Sequence, residues 1–204
     1  MDSVQAARNL ELIRTLMERT TQYQLLTARA GLAAGSLAGA GALAFRFLDP
    51  TNPWYFGAVW GTVFLGSLLA TALGTVDRSR QRGERIWSRQ ARAVLLALSP
   101  ALFAALSLSV FFFSRGGTDF LWLPGIWMLC YGQGALATAA YAPAPIRSLG
   151  VIALLLGGLT LWLGPGWAIP TMGLVFGLGH IGLGIALLIA ERRQPNVRLH
   201  RSVA

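Results

Sequence analysis

Asp77-Arg78-Ser79-Arg80-Gln81-Arg82-Gly83-Glu84-Arg85-Ile86-Trp87-Ser88-Arg89-Gln90-Ala91-Arg92 separates two unbroken apolar runs, residues 54–76 and 93–113. A helix rises 1.5 Å per residue, so about 20 apolar residues cross the roughly 30 Å hydrocarbon core of a bilayer. Both runs are long enough. The six arginines between them mark a loop retained on the cytoplasmic side. The stretch therefore reads as the turn of a membrane hairpin.

Four more apolar runs extend the pattern: residues 30–48, 120–141, 146–163 and 167–190. Glycine is mixed with leucine, alanine and phenylalanine in them. Membrane barrel strands would be shorter and would alternate. The fifth run is the weakest, with Arg147 near its start and Leu163-Gly164-Pro165-Gly166 at its end. The links are short: Asp49-Pro50-Thr51-Asn52-Pro53, residues 114–119, and Ala142-Pro143-Ala144-Pro145. Such links make consecutive helices antiparallel neighbours. The expected fold class is all-α, a polytopic transmembrane bundle of six spans. Residues 1–28 would form an amphipathic interfacial helix, 29–190 the bundle and 191–204 a basic cytoplasmic tail.

Composition agrees. Of 204 residues, 54% are hydrophobic and 12% charged, and the mean hydropathy is +0.55. Six spans use about 120 residues, which leaves no room for a second soluble domain of ordinary size. All 17 basic residues are arginine, which stays protonated in essentially any setting. With six spans, all but Arg46 and Arg115 fall on one side. The positive-inside rule makes that side cytoplasmic and puts both termini there. The basic excess is thus accounted for without nucleic acid. Trp54, Tyr55, Trp122, Trp162 and Trp167 near the outer span ends, and Trp87 near an inner one, read as interfacial belts. No cleavable signal peptide is expected, because the first apolar run comes too late. The single cysteine, Cys130, reads as a small apolar residue.

Several segments are candidates for function. Ala6, Leu10, Leu12, Ile13, Leu16, Met17, Thr20 and Tyr23 share one face of an N-terminal helix, with Arg8, Glu11, Arg14, Glu18 and Arg19 opposite. Such a helix lies in the interface or docks a cytosolic partner. Arg78, Arg82, Arg85, Arg89 and Arg92 are spaced 4, 3, 4 and 3. If helical, they make one basic stripe for anionic headgroups or an acidic protein. Gly31, Gly35 and Gly39, Gly57 and Gly61, and Gly173, Gly177 and Gly184 are small-residue patterns that let helices pack closely, within the chain or in a homodimer.

His180 is the only histidine in an apolar run, and it shares a face with Gly173, Gly177 and Gly184. Polar side chains inside a bilayer are costly, so it is a candidate site, or simply a structural hydrogen bond. Gln133, with Tyr131 and Thr138 nearby, is the other intramembrane polar candidate, and pairing with His180 is one expectation. A haem on His180 would need a second axial ligand or an open position, and no second membrane histidine exists. No cofactor or metal is therefore expected. No carboxylate lies deep in a span, and no zinc motif, phosphate loop or nucleophile elbow is present.

Leu10-Glu11-Leu12-Ile13-Arg14, Leu16-Met17-Glu18-Arg19-Thr20-Thr21-Gln22-Tyr23 and Leu123-Pro124-Gly125-Ile126-Trp127-Met128-Leu129-Cys130-Tyr131-Gly132 resemble an uncharacterised family of small bacterial multi-span membrane proteins. The resemblance implies the bacterial inner membrane and transfers no activity. The expected role is non-catalytic: a regulatory, sensory or accessory subunit that docks a partner through its cytoplasmic surfaces. The alternatives are a small transporter or channel for a neutral or apolar solute, near Gln133 and His180, and a haem-binding electron-transfer subunit.

Overall fold

The computed structural model describes residues 5, 27–83 and 85–193. The amphipathic segment before residue 27 and the tail after residue 193 lie outside the described residues. Among the described residues there is no strand. Six principal helices account for the fold.

Helix α1 spans Ala28–Ala44, begun by Thr27, whose hydroxyl accepts from Ala30 N–H at 3.2 Å. Helix α2, Pro53–Arg82, starts at Asn52, whose side chain accepts from Trp54 and Tyr55 N–H, with Pro53 in the first turn. Those caps occupy amides that have no partner within the helix. Gly83 ends α2 in the left-handed region, at φ 64°. Ser88 caps the next helix, α3, Arg89–Arg115. After Gly116 and Gly117, a 3-10 turn, Asp119–Trp122, leads into α4, Leu123–Ala137. Helix α5 is Ala144–Leu163. Helix α6 is composite: a 3-10 turn Pro165–Trp167, α-helix Ala168–Met172, a π-helical stretch Gly173–Leu178, and α-helix Gly179–Arg193.

Four of these are long and apolar enough to cross a membrane: Pro53–Gln81, Arg89–Arg115, Ala144–Leu163 and Pro165–Arg192. The fifth apolar run, weakest by sequence, makes one of them. The first and fourth runs are shorter as helices than expected, at 17 and 15 residues. Phe45, Phe47 and Leu48 are apolar, but the stretch 45–48, which includes Arg46, folds into turns, with Leu48 N–H bonded to Ala44 O. Past Ala137, residues 138–141 also turn, and Tyr141 N–H reaches Thr138 O. Pro143, two residues on, disfavours helix at the residue before it. Hydropathy does not register either turn.

Two close helix pairs form the centre. Helix α1 runs antiparallel to α6, and α4 runs antiparallel to α5. Helix α2 packs on α1, α3 packs on α4, and α5 touches α6. Phe56 of α2, Phe113 of α3, Phe120 of the 3-10 turn and Trp127 of α4 meet at one end, with ring centroids 5.1 to 6.4 Å apart. Beyond this cluster α2 and α3 barely touch.

Candidate functional site

The pattern of glycines sets where side chains can meet. A Cβ on Gly35 would stand 2.6 Å from Ile181 N and 2.7 Å from Gly177 O, and one on Gly184 2.7 Å from Leu32 N. Gly31 faces Gly184 at 3.0 Å, Gly177 faces Gly39 at 3.3 Å, and Gly173 faces Ala42. The first and last glycine patterns therefore pack on each other, backbone to backbone. Gly57 makes only ordinary contact with Phe113, and Gly61 has open space beside it. A second close contact escaped the four-residue spacing. Gly125 sits against Gly157 and Gly132 against Gly150, with hypothetical Cβ atoms 2.7 to 3.2 Å from the opposing carbonyls. Here the glycines are seven apart in each helix, the signal a search at that period would find.

The π-helical stretch lies immediately before His180. Such i→i+5 turns occur often at functional sites. His180 lies at the edge of the glycine face, turned toward α4. Its Nε2 is 3.0 Å from the Tyr131 hydroxyl, and the two share a hydrogen bond. Phe176 completes the group, edge-on to Tyr131 at 5.3 Å between centroids. The Nδ1 atom is buried and, among the described residues, makes no well-formed hydrogen bond, the Val175 and Phe176 backbone being its polar neighbours. Gln133 is not part of this group. It is exposed on another side of α4, because two residues along a helix turn a side chain by about 200°. The expected Gln133–His180 pair is thus replaced by Tyr131–His180. Thr138 is buried and bonds its own helix at Ala135 O. The group can pass or hold one proton or hydrogen bond. Nε2, a nitrogen a haem iron would need, is engaged by Tyr131. Among the described residues no three His, Cys, Asp or Glu side chains cluster as a metal site would require.

At one end of the bundle, Gly83 breaks the expected single arginine stripe. Arg78 and Arg82 belong to α2, Arg85 to the link, and Arg89 and Arg92 to α3. Arg78 is not free for a ligand, because it forms an ion pair with Glu191 of α6. Arg80, Arg85, Arg89 and Arg92 are exposed. At the other end, Arg115 pairs with Asp119 at 3.1 Å. Asp49 is held by the Thr51 hydroxyl at 2.7 Å and the Thr51 N–H at 2.8 Å, which lower its carboxyl below the usual value. Cys130 is a half-buried free thiol.

The fold and the groups above define a class: an all-helical protein whose long apolar helices suit a membrane. No family model, curated protein or solved structure matches the chain. The likeness carried by residues 10–23 and 123–132 therefore brings no activity with it.

Proposed function

We propose that this is a six-span bacterial inner-membrane protein with both termini in the cytoplasm, serving as a non-catalytic accessory or regulatory subunit. The α2–α3 hairpin carries the reading. In its most apolar 18-residue window α2 has only 11% of residues buried, and α3 has none. The two helices barely touch along most of their length. Exposed Arg80, Arg85, Arg89 and Arg92 stand at their shared end. An apolar face that ends in exposed positive charge complements a partner with an apolar span and an acidic cytoplasmic patch. From its sequence, the segment 1–28 would add an amphipathic surface, and the positive-inside rule assigns it to the same side. Anionic headgroups compete for the same arginines.

A solute path beside Gln133 and His180 has weaker support, since Gln133 faces outward and the α1–α6 and α4–α5 contacts leave little space. The test is affinity purification of tagged protein in mild detergent, with mass spectrometry of what accompanies it. A stoichiometric partner is expected, lost in the Arg85→Glu, Arg89→Glu, Arg92→Glu triple variant and in a variant lacking residues 1–24, with insertion intact. A partner-free bundle, or one whose partner survives both changes, refutes the docking role.

A further inference from the structure

The end of the bundle away from the arginine-rich link holds a cavity of about 620 Å³. Its walls come from separated parts of the chain: Ala42 and Phe45 at the end of α1, Leu121 of the 3-10 turn, and Gly166, Ile169 and Pro170 at the start of α6. The size falls in the range of roughly 300–1,000 Å³ typical of small-molecule sites. The lining is mainly apolar, with one charged side chain, Arg46. Arg46 makes no ion pair among the described residues. The nearest acid in sequence, Asp49, is turned onto Thr51. The other arginine at this end, Arg115, has its partner in Asp119. Close in sequence to the lining residues Arg46, Thr51 and Pro165, the side chains of Phe47, Trp54 and Trp162 are 91%, 84% and 86% exposed. Exposed aromatic side chains at a helix end fit the headgroup level of a bilayer.

We propose that this cavity is a phospholipid site: Arg46 binds the phosphate of an anionic lipid, and one acyl chain lies in the apolar space lined by Phe45, Leu121, Ile169 and Pro170. The inference rests on the membrane-spanning reading above. Guanidinium is suited to phosphate because its planar fork donates two hydrogen bonds at once. An unpaired guanidinium at the rim of an apolar pocket matches a ligand with a negative head and an apolar tail. A soluble anion would leave the pocket unfilled, and a neutral lipid would leave the charge unmatched.

Two variants separate the parts of the site. Arg46→Gln removes the charge. Gly166→Leu adds bulk to the lining, at a position where a Cβ meets nothing within 4 Å. Arg115→Gln removes one charge at the same end and serves as the control. The protein is delipidated in detergent, offered phosphatidylglycerol or phosphatidylcholine, and examined by native mass spectrometry. The expected result is one retained phosphatidylglycerol, reduced tenfold or more by Arg46→Gln and by Gly166→Leu, and unchanged by Arg115→Gln. Excess inorganic phosphate should not displace it, and phosphatidylcholine should be retained weakly. Equal retention in Arg46→Gln, an equal loss in Arg115→Gln, full retention in Gly166→Leu, displacement by phosphate, or equal retention of phosphatidylcholine each overturns the site. Alkaline-carbonate extraction of cell membranes tests the spanning reading separately. A chain that washes out fails that reading, whereas the lipid result in detergent still decides the cavity.

Discussion

Tyr131 and Gln133 are two residues apart on α4, and that offset decides which of them reaches His180. Both are polar and both lie mid-run, so hydropathy gives them equal standing. The turn of the helix does not. Tyr131 points between the faces that meet α3 and α5, and its hydroxyl lies 3.0 Å from Nε2 of His180, while Gln133 is exposed. His180 itself was legible, because an imidazole in an apolar run is rare enough to draw notice. Its partner was not, because the register of α4 depends on Gly132 packing against α5 and Gly134 against α3. The consequence is measurable by double-mutant cycles on thermal unfolding in detergent. Tyr131→Phe and His180→Leu should be non-additive by about 0.6 kcal/mol, and by no more than roughly 1.7. Gln133→Leu and His180→Leu should add. The opposite pattern would restore the Gln133 pairing.

Among elements, the closest contacts are made where side chains are missing. A bilayer offers no hydrophobic drive between helices, so contact between backbones must supply part of the stability. Glycine weakens an isolated helix by about 1 kcal/mol relative to alanine. In α1 and α6 that cost is offset by approach distances no Cβ would allow. The spacing of Gly31, Gly35 and Gly39 made this contact readable. The α4–α5 contact was hidden by its longer period, and the Gly57–Gly61 pattern points to open space. Spacing shows that a face is small; only the neighbour shows whether the face is used. Adjacent Gly157 and Gly158 test the point within one turn. A Cβ on Gly157 would stand 2.9 Å from Gly125 O and from Leu129 N, whereas one on Gly158 meets nothing within 4 Å. Gly157→Ala should destabilise by about 1–3 kcal/mol through overpacking. Gly158→Ala should be neutral or stabilising by up to about 1 kcal/mol. A lower melting temperature for both would mean that α5 is buried on a second side, as in an oligomer.

For the molecule as a whole, composition and run length made an all-helical fold legible. What they left open is whether α1 and α4, 17 and 15 residues long, cross the bilayer as the four longer helices can. Charge distinguishes the two possibilities. If all six cross, Arg46 and Arg115 stand alone against the other fifteen arginines. If α1 and α4 do not cross, the six arginines of residues 78–92 lie opposite the remaining eleven. The first division is much the stronger under the positive-inside rule. It also requires residues 118 and 144, on the two sides of α4, to face opposite compartments. In a Cys130→Ser background, single cysteines at Thr51, Ile86, Thr118, Ala144 and Gly166 can be probed with an impermeant maleimide on intact cells. The six-span arrangement labels positions 51, 118 and 166, and labels 86 and 144 only after permeabilisation. If 118 and 144 label together, α4 does not cross. The six-span arrangement then fails, and α4 lies within the bundle as a short helix packed between α3 and α5.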